Sequence, residues 1–229
     1  MAHLGELRKV LIRCILSLSI VSVVSFLFAD FLLKVLLLPY QSLASLGATP
    51  PPLLTLQPAE GFLLSMKLAL LAGVILSFPL LAYQVWHFIS EGLYPREKRL
   101  FVPALYVGTG LFIIGALFAF YLVVPQALRF FWNYNLSLGV TPSWTITYYL
   151  NFVLMFLLAF GVAFEMPMVV VLVNQLGLIT KDSLSAKRPY VIVAIFLVAG
   201  FLTPPDVLSQ LALAFPMWGL FEVSLWFTK

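Results

Sequence analysis

Residues 10 to 29 read VLIRCILSLSIVSVVSFLFA, a run whose one charge, Arg13, lies near its start. About 20 consecutive apolar residues is the length of helix that crosses a hydrocarbon core. The run follows Arg8 and Lys9 and continues as Asp30-Phe31-Leu32-Leu33-Lys34-Val35, with no small-x-small cleavage site. It therefore reads as an uncleaved span and not as an export signal.

The same pattern recurs along the chain, at residues 62–89, 101–124, 148–175, 190–202 and 207–227. Six crossings are expected, in an all-α membrane protein forming one integral-membrane domain over residues 1–229. The second run would be about 42 Å long as a helix, more than a core of about 30 Å. It must tilt, bend or protrude, and Pro79 supplies a bend by removing a helical hydrogen bond. The third run is expected to end at Pro125. The fifth, residues 190–202, would rise only about 20 Å, short enough to require thinned lipid or shielding by neighbouring helices. A re-entrant hairpin competes with that reading. After it, Thr203-Pro204-Pro205-Asp206 would place Asp206 as the N-cap of the last helix.

Composition agrees. Apolar residues make up 62% of the 229, charged residues only 10% and aromatics 15%, and the mean hydropathy is +1.07. A soluble domain carries roughly 25% charged residues, so soluble, disordered, coiled-coil and collagen-like classes are excluded. The single cysteine, Cys14, excludes a disulfide framework. The formal charge of +4 comes from short clusters between apolar runs, a distribution that sets topology and does not fit nucleic acid.

Counting cations gives the orientation. Ten lie on the side of the two termini: Arg8, Lys9, Arg13, Arg96, Lys98, Arg99, Lys181, Lys187, Arg188 and Lys229. The opposite side has Lys34 and Arg129, while Lys67 lies inside the second span near its outer end and can snorkel outward. Both termini are therefore expected in the cytoplasm. FLLKVLLLPY and ALRFFWNY read as interfacial helices capping the outer face, with Trp132, Tyr134 and Trp144 suited to headgroup depth.

Catalytic machinery is not apparent. His3 and His87 lie near the cytoplasmic surface without sequence partners, no HExxH or GxSxG occurs, and Asp30, Asp182 and Asp206 sit at span ends. No cofactor, no metal and no enzymatic activity are expected. Glu165, in AFGVAFEMPMVVV, differs, because a carboxylate at mid-membrane costs a few kcal/mol and marks a polar site or a bond to a neighbouring helix. Pro167 frees the carbonyl of Ala163, and Gly161 and Ala159 allow close approach of another helix or of water. At the cytoplasmic surface Glu6 and Arg8 precede the first span and Glu97 the third. Carboxylates there can take a guanidinium bidentately, which an ammonium cannot match; the alternative is ordinary topology-setting charge.

His3-Leu4-x-Glu6-Leu7-Arg8, Tyr83-Gln84-x-Trp86-x-Phe88-Ile89, Leu93-Tyr94-x-x-Glu97-x-Arg99, Phe160-Gly161-x-x-Phe164-Glu165-x-Pro167, Arg188-Pro189-Tyr190 and Thr203-Pro204-Pro205-Asp206 occur in this order. With them the whole chain resembles the TatC family, the multispanning subunit of the twin-arginine protein translocase. The resemblance implies a concave, glove-like fold with outer-face caps, in a bacterial (or archaeal or organellar) plasma or inner membrane. It implies reception of folded precursors through twin-arginine signal peptides and export driven by the proton-motive force.

It carries signal-peptide binding onto Glu6, Arg8, Phe88 and Glu97, the intramembrane polar site onto Glu165, and the outer cap onto Pro39. Docking of single-span TatA- and TatB-type partners falls on Thr203 and Gln210, where unsatisfied polar groups on a short helix pair would invite a helix from another chain. Further copies of the chain itself are expected partners. Family members usually carry some extra tail residues, and the sequence leaves open whether the termini are trimmed. The competing function is an ion-coupled transporter or channel using Glu165, which lacks a second charged group at mid-membrane; an intramembrane hydrolase is weaker still.

Overall fold

In hydrocarbon every backbone N–H and C=O must find its partner within the protein, so long apolar runs become helices. The computed structural model describes residues 2–43, 51–91, 101–177, 179–203 and 206–228, with the side chains of 2–4, 89–91 and 101 excepted. The helices in chain order are α1 (Ala2–Leu27), α2 (Ala29–Leu36), α3 (Leu38–Gln41), α4 (Glu60–Glu91), α5 (Phe101–Phe118), α6 (Val124–Ser137), α7 (Ile146–Ala163), α8 (Met166–Gln175), α9 (Lys181–Ala186), α10 (Arg188–Leu202) and α11 (Val207–Phe227). A π-helical turn, Ala119–Val123, joins α5 to α6. Among the described residues, five helical segments are long and apolar enough to cross a membrane, and α10 is a shorter apolar helix. The 15 residues of α10 rise about 22 Å, as the short fifth span required.

Two expectations are corrected. The third span does not stop at Pro125. Helix continues as α6 to Ser137, with Pro125 in its first turn. The π turn is the reason: Val124 N–H reaches back to the Ala119 carbonyl, so the wider turn just before Pro125 accommodates a residue that has no donor and would crowd an α-turn. The ALRFFWNY segment is thus continuous with the helix of the third span and not a separate helix. Trp132 on it is 5% exposed, so it packs within the protein. Pro79 lies inside α4 without ending it.

The chain forms two compact units. The first comprises Met1–Thr109 with Ser143–Asn151. In it α1 packs along α4, and three pairs fix their register. The rings of Phe26 and Phe62 meet edge to face at 6.3 Å, a Cβ added at Gly73 would overlap Ser22, and Gln84 Nε2 donates to Ser17 Oγ at 3.3 Å. The partners on α4 rise in number as those on α1 fall, so the helices are antiparallel and the start of α1 lies beside the end of α4. Glycine at 73 permits this approach, as small residues do in membrane helix pairs.

At the other end of this unit α2 and α3 bury Ala29, Leu36, Pro39 and Tyr40. Tyr149 Oη donates to the Leu36 carbonyl at 2.6 Å and Tyr40 Oη to that of Pro51 at 2.7 Å. The Tyr40 ring also packs on Trp144 and Tyr149, at 5.9 and 5.3 Å. Leu54 N–H bonds to the Trp144 carbonyl, and Ile146 N–H to that of Leu54. The cap expected around Pro39 is therefore a bonded structure and not a loose loop.

The second unit comprises Gly110–Pro142 with Phe152–Lys229. Gly115 of α5 lies against the Phe160 carbonyl and the Phe164 side chain, while Gly161 of α7 receives the ring of Phe112. Phe112, Phe156 and Phe160 are fully buried there. A ladder of rings continues along α7, with Phe152–Phe156 at 4.6 Å and Phe156–Phe160 at 6.0 Å. Helix α11 packs against both α8 and α10. Its N-cap is Asp206, whose carboxylate accepts from Ser209 N–H at 2.7 Å, as the Pro-Pro-Asp turn led us to expect.

Candidate functional site

The first candidate group stands at the end of the first unit where α1 begins and α4 finishes. Glu6 and Arg8 occupy the opening turns of α1, half-buried and exposed respectively. Phe88, half-buried, lies in the last turn of α4. The antiparallel register brings these three to the same end of one helix pair. Glu97 lies outside the described residues.

Glu165 occupies the break between α7 and α8. Phe164 N–H still bonds to the Phe160 carbonyl, but Glu165 N–H turns to that of Val162, tightening the helix before Pro167 enters the first turn of α8. The side chain is half-buried, and its Oε1 is enclosed without a hydrogen-bond partner among the described residues. A carboxyl oxygen in that position can accept a proton donor from a ligand, a water or another helix. The sequence feature that singles out Glu165 is an acidic residue inside an apolar run.

Thr203 and Gln210 belong to the α10–α11 hairpin, but their polar atoms already have partners inside it. Thr203 Oγ1 donates to the Ala199 carbonyl at 2.8 Å, and Gln210 Nε2 donates to that of Phe196 at 2.9 Å. Gln210 lies against Gly200, so its amide ties the two helices of the hairpin together. The orphan is their neighbour instead: Ser209 Oγ is buried without a partner among the described residues.

Two further pairings were not read from the sequence. Arg188, noted in the sequence as a topological cation and part of the Arg188-Pro189-Tyr190 motif, forms an ion pair with Glu222 at 3.2 Å, joining the first turn of α10 to the last turns of α11. Glu60, at the start of α4, accepts from Leu56 N–H, Gln57 N–H and the Thr147 hydroxyl. The Arg188–Glu222 pair and the Glu60–Thr147 bond join residues distant in sequence, which no local pattern announces.

Apolar helices of spanning length, a short hairpin closed by its own polar bonds and a broken helix carrying a carboxyl group define a multi-pass membrane protein. The comparisons with known proteins make this specific. The family described as Sec-independent protein translocase protein (TatC) matches residues 2–216. A TatC of Escherichia coli K12 is 40% identical over 227 residues, 99% of this chain and 86% of that one. A TatC of Akkermansia muciniphila is 44% identical over 170 residues, 74% of this chain and 49% of that relative, so the chain spans about half the relative's length. Among solved structures, the crystal structure of the twin arginine translocase receptor TatC in DDM superposes with a TM-score of 0.87 at 37% identity, covering 99% of each chain.

The chain belongs to the TatC family of Sec-independent protein translocase proteins. Its role is that of a core subunit of the twin-arginine translocase, a transport component.

Proposed function

We propose that this subunit is the receptor for twin-arginine signal peptides, with both termini on the cytoplasmic side of a bacterial inner membrane or its archaeal or organellar counterpart. Glu6 and Glu97 accept the two guanidinium groups, Arg8 completes the charged rim, and Phe88 offers an apolar surface to the signal peptide. The observation that carries this reading is the antiparallel register of α1 on α4, which gathers Glu6, Arg8 and Phe88 at one end of the pair. A carboxylate there binds a guanidinium through two parallel hydrogen bonds, a geometry that an ammonium group cannot reproduce.

Single-span TatA- and TatB-type subunits dock on the α10–α11 hairpin, whose short first helix leaves a mismatch with the bilayer that a neighbouring helix relieves. Glu165 provides the polar group within the membrane that an incoming segment meets once the signal is bound, and the proton-motive force drives export of the folded cargo. Other copies of the chain complete the assembly.

The test is site-specific cross-linking of signal peptides carrying Arg-Arg or Lys-Lys to the membrane-embedded protein. Glu6→Ala and Glu97→Ala should each weaken capture of the Arg-Arg peptide, and Glu165→Gln should leave surface capture intact. Undiminished capture by the Glu6/Glu97 double alanine variant, or equal capture of the two peptides, rejects guanidinium recognition by these carboxylates.

A further inference from the structure

A groove of about 440 Å³ opens in the first unit, beside the N-terminal end of α4. Its walls include Leu56, Leu63, Glu60, Lys67, Thr145 and Tyr148. Leu56, Leu63 and Tyr148 are strongly exposed, Tyr148 at 74%, so the groove presents apolar surface along its length. Two opposite charges share it. We propose that this groove binds one zwitterionic glycerophospholipid, with Lys67 on the phosphate, Glu60 on the headgroup ammonium, and the glycerol and acyl chain along Leu63 and Tyr148.

The two charges do not satisfy each other. Among the described residues Lys67 is in no ion pair. The Glu60 carboxylate is instead held by Leu56 N–H, Gln57 N–H and the Thr147 hydroxyl. A carboxylate offers about four lone-pair sites, so this clamp fixes its position and leaves capacity for one more donor. Lys67 lies about 10 Å further along the helix axis. Because helical Cα–Cβ bonds tilt toward the N-terminus, its long side chain extends back toward the level of Glu60. A fixed anion in the first turn of an apolar helix and a cation two turns further in, lining one groove, match the order of charges in a phospholipid headgroup, with the phosphate deeper and the ammonium outermost.

Charge selects among lipids. A purely anionic headgroup would satisfy Lys67 and meet Glu60 as a like charge. An ethanolamine headgroup satisfies both. A free phosphate gains nothing from the leucines and the tyrosine, whereas a lipid covers them.

Native mass spectrometry of the purified full chain in detergent, supplied with phosphatidylethanolamine, phosphatidylglycerol or inorganic phosphate, tests this. The wild type should retain one phosphatidylethanolamine in preference to phosphatidylglycerol. Lys67→Gln should lower that retention about fivefold, the factor a well-formed ion pair contributes. Lys67→Arg should keep it, as should Lys34→Gln on α2, whose lysine is not part of the groove. Helical circular dichroism identical to wild type checks that Lys67→Gln is folded. Undiminished retention by Lys67→Gln, equal retention of phosphatidylglycerol, or displacement of the lipid by millimolar inorganic phosphate overturns the proposal.

Discussion

Replacing Gly115 by alanine should loosen the second unit, and the structure sets the size of the effect. The new Cβ would stand 2.5 Å from the Phe160 carbonyl oxygen and 2.8 Å from Cβ and Cγ of Phe164, where ordinary contact begins at 3.4 Å. The nearest atom is backbone, so no side-chain rotation relieves it. Phe160 is 0% exposed and has no free space to move into. The helices must part by nearly 1 Å, and a gap of about 0.5–1 Å forfeits a quarter to a half of the dispersion energy of the contacts it opens. Overpacking of this kind costs about 1–3 kcal/mol, offset by up to about 1 kcal/mol from alanine's better helix propensity. With the full offset the expected net loss is about 0–2 kcal/mol, and the loss relative to an unopposed glycine-to-alanine change is about 1–3 kcal/mol.

Unfolding of the purified protein by increasing SDS in mixed micelles, followed by tryptophan fluorescence, measures this. Gly219→Ala is the internal control, because nothing lies within 4 Å of a Cβ there and the same propensity gain is unopposed. If Gly115→Ala proves as stable as Gly219→Ala, close packing of α5 on Phe160 is refuted.

Asp206→Ala removes the N-cap of α11 and should cost about 1 kcal/mol, whereas Asp206→Asn retains an accepting oxygen and should restore most of it; SDS titration distinguishes the two. Gln210→Leu removes the bond to the Phe196 carbonyl, worth on average about 0.6 kcal/mol between membrane helices. The same variant should lower co-purification of single-span partner subunits. An unchanged partner ratio would mean that Gln210 serves only its own hairpin.

What local chemistry could reveal was legible beforehand. The apolar runs gave the membrane helices, because their lengths are compared with a fixed thickness and need no tertiary information. The shortness of α10 and the cap at Asp206 were equally plain, since each depends on residues within a few positions of one another. Pro125 misled because a proline stops an α-helix by default, and the π turn that absorbs it has no signature in the sequence. The burial of Trp132 was not legible, because an aromatic residue after an apolar run suits both an exposed surface and a protein interior. Glu165 stands out in the sequence as a carboxyl in an apolar run and is half-buried, but Gln210 was expected to be unsatisfied, and its partner, Phe196, lies on the preceding helix. Local patterns show which groups are polar; only the packed chain shows which of them already have partners.

The two backbone bonds that Leu54 makes with Trp144 and Ile146 set an order on how the protein is made. Synthesis runs from the N-terminus, and domains generally take shape in that order. Here residues of the segment before α4 must wait until the chain through Ile146 has left the ribosome. A nascent chain ending before that point has the α1–α4 pair but hydrates the Leu54 amide and carbonyl. Sealing of this face is therefore a late event in biogenesis, and proteolysis of arrested chains should cut near Leu54 until the stretch bearing Ile146 has been inserted.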